Sequence, residues 1–369
     1  MAEHIVTVST IRDTVPNVHR FLRRNLSSGI DHMIVFLDQD QPELVEVLGS
    51  NPHVTVVQTA NDDYWLGRRP PKVDDRRKVN ANLLNAALTV LPAVRWLVHL
   101  DADEAPLFDR ASLLASDART VRFPALEAVA RHDRPDGDPR EFKQRPSEAE
   151  LLALDLMGVI DEPSLAAYFR GHWAGKSAVR PDLGIRISAH VPRDPHGNRL
   201  AGTEILPGSF LLHYESYCLE DFIERWRDFD LEKYSRSNHR RTRKRLGLAT
   251  YAIINHAFLS DDVKERYLRR LFDRKVADDV TALRRLGLII EVPAANLQPR
   301  PLPADEIEAL EALLAALRPV DKRAFLKSAD ESAPVAALEG VAAGLDDPAL
   351  AERVLRTVAE HRANAKVDS

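Results

Sequence analysis

Two carboxylates stand two residues apart in Asp101-Ala102-Asp103-Glu104, directly after the apolar stretch 96–100 (WLVHL). An apolar run of that kind reads as a buried strand, so the chain delivers a crowded acid pair to a strand end. Like charges placed so close repel unless a cation lies between them. A hard divalent ion such as Mn2+ or Mg2+ suits carboxylate oxygens. Such an ion can hold a diphosphate and offset the charge that develops on a phosphate leaving group.

A second stretch imitates phosphate chemistry. Gly171-His-Trp-Ala-Gly175-Lys176-Ser177 resembles a phosphate-binding loop, but only three residues separate Gly171 from the Gly-Lys pair where four are needed. Arg170 stands where the first glycine belongs, and Trp173 crowds the amides that would cradle phosphate. The loop is rejected, and Lys176 is kept as a point charge that could meet a phosphate.

The flanking elements alternate. Residues 5–9, 32–37, 54–58 and 96–100 read as strands, and 15–26, 42–48 and 77–91 as helices. Segment 62–75 is polar and reads as a loop. The alternation predicts a parallel sheet whose ligands sit beyond the carboxyl ends of the strands. Thr10, Asp38, Asp101 and Asp103 all fall at such ends. Residues 120–123 and 210–214 are further strand candidates, and 132–146 reads as a loop. From about residue 219 the chain reads as helical, with a proline-rich linker around 293–303.

The order of these pieces is similar to that of bacterial family-2-like glycosyltransferases with the GT-A fold, related to family 92. The pieces are Thr10-Ile11-Arg12-Asp13, Gly29-Ile30-Asp31-His32 with the strand ending at Asp38, and Arg77-Lys78-Val79-Asn80-Ala81-Asn82. They continue with the Asp-x-Asp segment, Gly175 to Pro181, Ala189-His190-Val191-Pro192 and Leu212-His213-Tyr214. The resemblance covers about residues 4–235. It implies an α/β fold of GT-A (Rossmann-like) type, with a mixed sheet flanked by helices and a mainly helical C-terminal region. It implies a domain over 1–235, followed by a basic helical extension at 236–294 and a helical segment at 295–369. It further implies a nucleotide-sugar donor, a glycan or lipid-linked acceptor and a divalent metal, Mn2+ or Mg2+. Asp101, Asp103 and His213 would hold the metal. Thr10, Arg12, Asp38, Lys78, Asp101 and Lys176 would meet the nucleotide sugar. The general base of an inverting member is not marked by any motif: Glu204, Glu215, Asp155, Glu162 and His190 all stand as candidates.

Two competing readings are weighed. Haloacid-dehalogenase-type phosphohydrolases also carry Asp-x-Asp after an apolar strand, but with Thr or Val two residues beyond the second Asp. Here that residue is Ala105, followed by Pro106. A catalytically inactive relative that only binds glycan or nucleotide is the other, and the intact acid pair argues against it.

Composition sets the frame. The 369 residues are 44% hydrophobic and 29% charged, an ordinary globular balance with room for two domains. The net charge of −5 argues against a dedicated nucleic-acid binder, although it leaves room for a local basic patch. The single cysteine excludes a disulfide framework and fits a reducing cytosol. No apolar run suits a membrane span, and the first ten residues lack the pattern of a secretory signal. The expected location is cytoplasmic. The cations Arg236, Arg240, Arg241, Arg243, Lys244 and Arg245 form a basic run suited to an anionic acceptor or to peripheral contact with the inner membrane.

Overall fold

The computed structural model describes residues 3–227, 241–326 and 329–365. The chain divides into two compact units that interleave in sequence. The first comprises Met1–Phe123, Lys176–Phe210 and Ala295–Ser369, and the second Pro124–Gly175 and Leu211–Ala294. The three consecutive stretches expected from sequence therefore map differently, because residues 295–369 belong with the N-terminal strands.

The first unit is built on strands β1 (His4–Ile11), β2 (His32–Leu37), β3 (Val54–Gln58) and β4 (Val94–His99), all parallel. After β4 come β5 (Glu104–Leu107) and β6 (Thr120–Phe123), and later β9 (Lys176–Val179). β9 runs antiparallel between β4 and β6, so the six-stranded sheet has the order β3-β2-β1-β4-β9-β6 and is mixed. Every residue of β1 and β2 is buried. Their near-continuous apolar runs are what a sheet covered on both faces requires. The connecting helices are α1 (Val15–Ser27), α2 (Pro42–Gly49), α3 (Asp62–Trp65), α4 (Val73–Leu88) and α5 (Arg110–Ala115). The segment expected as a loop at 62–75 thus contains α3 and the start of α4. Asn61 caps α3 by accepting the Tyr64 amide.

Residues 79–88 of α4 are buried all round, which calls for a second layer outside it. That layer is the C-terminal segment, with α12 (Ala304–Leu317), α13 (Ala333–Ala342) and α14 (Pro348–Ala365). Leu310, Leu313, Leu338 and Val354 share one core with Leu83, Leu84 and Ala87. Each leucine or valine among them contributes ~1.5–3 kcal/mol by leaving water.

The second unit carries β7 (Ala125–Ala128), β8 (Glu141–Lys143), β10 (Phe210–His213) and β11 (Ile289–Glu291) in the order β11-β8-β7-β10. β10 is parallel to β7, while β7–β8 and β8–β11 are antiparallel. The region 132–146, expected as a loop, contains β8. Its helices are α6 (Glu148–Leu156), α7 (Leu165–Tyr168), α8 (Leu219–Arg227), α9 (Arg241–Ile254), α10 (Asp261–Lys275) and α11 (Val280–Arg285). Among the described residues no helix is long and apolar enough to cross a membrane. Of the basic run, Arg236 and Arg240 lie outside the described residues, and Arg245 on α9 is exposed.

Candidate functional site

β1 connects to β2 and β3 on one side, whereas β4 lies on its other side. The strand order reverses at β1, and in open α/β sheets the crevice beyond the carboxyl ends at such a reversal is where ligands bind. Thr10 is the penultimate residue of β1 there, and Asp101 and Asp103 lie two and four residues past the end of β4.

The acid turn closes on itself. The Glu104 amide donates to the Asp101 carbonyl at 3.1 Å, and the Asp101 amide donates to Glu104 Oε2 at 2.8 Å. Glu104 is buried, and its backbone carbonyl accepts from Asn25 Nδ2 of α1 at 3.0 Å. Lys176, at the start of β9 and only 1% exposed, places its ammonium 3.0 Å from Asp101 Oδ2 and 3.4 Å from Glu104 Oε2. Arg77 of α4 reaches Asp101 Oδ1 at 3.1 Å and Asp74 at 3.7 Å. Burial alone would raise the Asp101 carboxyl, but Arg77 and Lys176 outweigh it and hold its pKa well below the ordinary range. Burial opposes the charge on Lys176, but Asp101 and Glu104 raise its pKa. His99, two residues before Asp101, is pushed down to about 3 by burial and the Lys176 ammonium, so its ring is neutral. Around the turn, Arg77 lies in the field of Asp101, Asp74, Asp103 and Glu104, and Lys176 in that of Asp101 and Glu104. Asp103 is half-buried and adds to the negative field on Arg77.

The other expected residues of this unit separate into engaged and peripheral groups. Thr10 Oγ1 accepts from Asn80 Nδ2 at 2.9 Å, and Asn80 Oδ1 accepts from the buried Tyr64 hydroxyl at 2.8 Å. Asp38 is buried at the end of β2 and gripped by two arginines. Arg76 donates to both of its oxygens at 2.6 Å, and Arg69 to Oδ1 at 3.0 Å. Lys78 pairs with Asp75 at 3.4 Å on the flank of α4, and Arg12 is exposed. His190 lies half-buried in a bend where the Val191 amide donates to Ser188 Oγ. Glu204 accepts from Ser116 Oγ at 2.6 Å, and its carbonyl accepts the Arg122 amide at 2.7 Å, which ties it to the sheet edge.

His213, Glu215, Asp155 and Glu162 belong to the second unit. Glu215 is buried against Arg225 at 2.9 Å, Asp155 is half-buried in α6, and the exposed Glu162 accepts from Ser164 Oγ. His213 is buried with Nδ1 3.7 Å from Glu127 Oε2. Burial would raise the Glu127 carboxyl, but Lys143, His213 and the Gly171 amide hold it below the ordinary range.

Arg77, Glu104, His99, Arg69, Arg76, Glu127 and His172 escaped the reading from sequence. Helix phase could have found the first of these. Arg77, Asn80 and Leu84 recur at spacings of three and four, so the face of α4 that reaches Thr10 also carries Arg77, while Lys78 points along another.

No protein-family profile matches this sequence, and no curated protein is significantly similar to it.

Proposed function

We propose that the chain is a metal-dependent transferase that moves a sugar from a nucleotide-diphosphate donor to a glycan or lipid-linked acceptor. The observation that carries this reading is the Asp101–Asp103 turn beyond β4, at the reversal of strand order in a sheet that opens with four parallel strands.

The donor set fits such an ion, since aspartate oxygens suit Mn2+ or Mg2+. Asp103 is the principal ligand in this reading. Asp101 is already committed to Arg77 and Lys176, which fix its orientation toward the turn. Lys176 therefore acts by holding Asp101 and Glu104 in place rather than by reaching a phosphate. When bound, the ion would neutralise charge on the departing nucleoside diphosphate. The grip of Arg69 and Arg76 on Asp38 keeps the end of β2 rigid beside the same edge, where a nucleoside would rest.

A thermal-shift screen of nucleotide sugars with and without Mn2+ tests the reading, because a ligand that binds only the folded state raises its midpoint. Stabilisation by at least one nucleoside-diphosphate sugar that requires the metal is the expected result. Metal-dependent binding without donor hydrolysis or transfer would reduce the assignment to a nucleotide-binding protein. Trapping of beryllofluoride at Asp101 would transfer it to the phosphohydrolases.

A further inference from the structure

Behind the strand end that carries Thr10, the first unit holds a chain of buried contacts that begins in the C-terminal layer. The 3-10 turn Lys322–Phe325 follows α12. Lys322 is buried, and its ammonium donates to the carbonyls of Leu317 at 3.2 Å, Arg318 at 2.7 Å and Val320 at 2.8 Å. A cation on the last carbonyls of a helix is favourable. The same nitrogen also stands over the ring of Tyr64 from α3, 4.5 Å from its centroid. Burial pushes the Lys322 ammonium down to about 8 against the opposing pull of Asp321, so these contacts sustain its charge. Tyr64 carries the chain onward. Burial raises the phenol, so its hydroxyl keeps its proton and donates it to Asn80 Oδ1 at 2.8 Å. That bond sets the Asn80 amide, whose Nδ2 donates to Thr10 Oγ1 at 2.9 Å. Thr10 Oγ1 is the acceptor there, which leaves its own proton for a further acceptor. A second route starts one residue earlier, where Asp321 meets Arg68 at 3.0 Å and the adjacent Arg69 grips Asp38. Arg68 is 57% exposed, so that pair contributes little, and the buried route carries the weight.

We propose that Lys322 and Tyr64 are positioning residues: they hold Asn80 so that Thr10 presents a hydroxyl proton to an acceptor atom of a bound nucleoside diphosphate. The ligand's identity rests on the transferase reading above, whereas the relay from Lys322 to Thr10 does not. α3 is a single turn of four residues, too short to fix a side chain by itself, so Tyr64 depends on tertiary contacts for its placement. Lys322 supplies one from the rear. Hydrogen bonds in a chain polarise one another, so each donor in this relay strengthens the next. Phosphate oxygens, ribose hydroxyls and base carbonyls all accept, and a preset hydroxyl at a strand end meets any of them without first reorienting. The C-terminal layer thereby gains a task beyond covering α4: it braces the edge where the ligand rests.

The test is calorimetric titration of UDP and of GDP, with Mn2+ present, into the full chain and four variants: Tyr64→Phe, Lys322→Met, Thr10→Val, and Tyr64→Phe combined with Thr10→Val. Tyr64→Phe keeps the ring and removes only the hydroxyl, and it should weaken the nucleotide about fivefold, the worth of one hydrogen bond. Lys322→Met should do the same. Because it also uncovers the carbonyls at the end of α12, Tyr64→Phe keeps the test decisive if Lys322→Met does not fold. In the Thr10→Val background Tyr64→Phe should add less than about a twofold loss, since the relay ends at that hydroxyl, whereas a merely structural role would add its loss in full. The Thr10 methyl resonance of threonine-labelled protein reads the relay without ligand and should move in Tyr64→Phe and in Lys322→Met. Native nucleotide affinity in both of these variants, or a loss that repeats in full in the Thr10→Val background, would overturn the proposal. If no form binds either nucleotide, the transferase reading falls and the methyl resonance decides the relay: a shift in both variants supports it, and an unmoved resonance overturns it.

Discussion

Replacing Lys176 by Met keeps the volume of a fully buried side chain and removes its charge. In the native protein the ammonium lies 3.0 Å from Asp101 and 3.4 Å from Glu104. At an effective dielectric of ~20, the attraction to Asp101 alone is on the order of 5 kcal/mol, most of it offset by the cost of burying both groups. The variant leaves two carboxylates with Arg77 as their nearest cation, and breaking a buried pair from one side costs about 3–5 kcal/mol. For a cooperative unit of this size that lowers the thermal midpoint by about 6–20 °C. The pH dependence has a definite sign. Asp101 is held below its unfolded value of ~3.9, so its contribution is present above that pH and is lost as pH falls through the folded value. Lys176 is raised, so its contribution is present below ~10.4 and is lost as pH rises through the folded value. Without Lys176 the Asp101 carboxyl takes up a proton at higher pH than in the native protein. The deficit should therefore shrink as the pH is lowered from 8 toward 4. Calorimetry across that range, with Asp101→Asn and the double variant completing the cycle, measures the coupling. A midpoint change under about 2 °C, or a deficit that does not vary with pH, would refute the argument.

Three further outcomes are expected. Asp38→Asn deprives Arg69 and Arg76 of their carboxylate and should cost about 2–4 kcal/mol, less than a wholly buried pair because Arg69 is a third exposed. Donor affinity should fall with it, and unchanged stability and affinity together would dismiss the role given to Asp38. Gly171→Ala drives a methyl group into the His213 ring and should destabilise the second unit by about 1–3 kcal/mol, read from urea midpoints. A neutral result there would mean that the ring seat is not as described. Glu204→Gln keeps an acceptor for Ser116 Oγ, so donor turnover should stay within twofold. A hundredfold loss would restore Glu204 as a general base.

The parallel half of the first sheet was legible because its strands are long, β-branched and apolar, and because helices separate them. Asp101 and Asp103 were legible for the same reason: the strand before them is apolar enough to make the acid pair conspicuous. β9 was not, since Lys-Ser-Ala-Val has no periodic signal and finds its partners, β4 and β6, more than fifty residues away. Lys176 consequently read as a point charge that could meet a phosphate, although the sheet buries it. The C-terminal segment read as helical, but only the all-round burial of α4 reveals what its helices pack on. Glu127 and Lys143 sit in strands of four and three residues and are held in a core by each other and by further partners, Asp278 for Lys143 and the Arg170 and Gly171 amides for Glu127. Pattern reasoning evaluates residues singly, so a buried pair of opposite charges escapes it.

The central claim is that Asp103 links a divalent ion to a nucleoside diphosphate beyond β4. Isothermal titration of UDP and GDP into the full chain, with Mn2+ and with chelator, compares the native protein with Asp103→Asn. The account predicts nucleotide binding that requires Mn2+ in the native chain and is lost in the variant, whose half-buried site leaves its thermal midpoint within about 2 °C of native. Nucleotide binding that is indifferent to Mn2+, or that survives intact in Asp103→Asn, would contradict it.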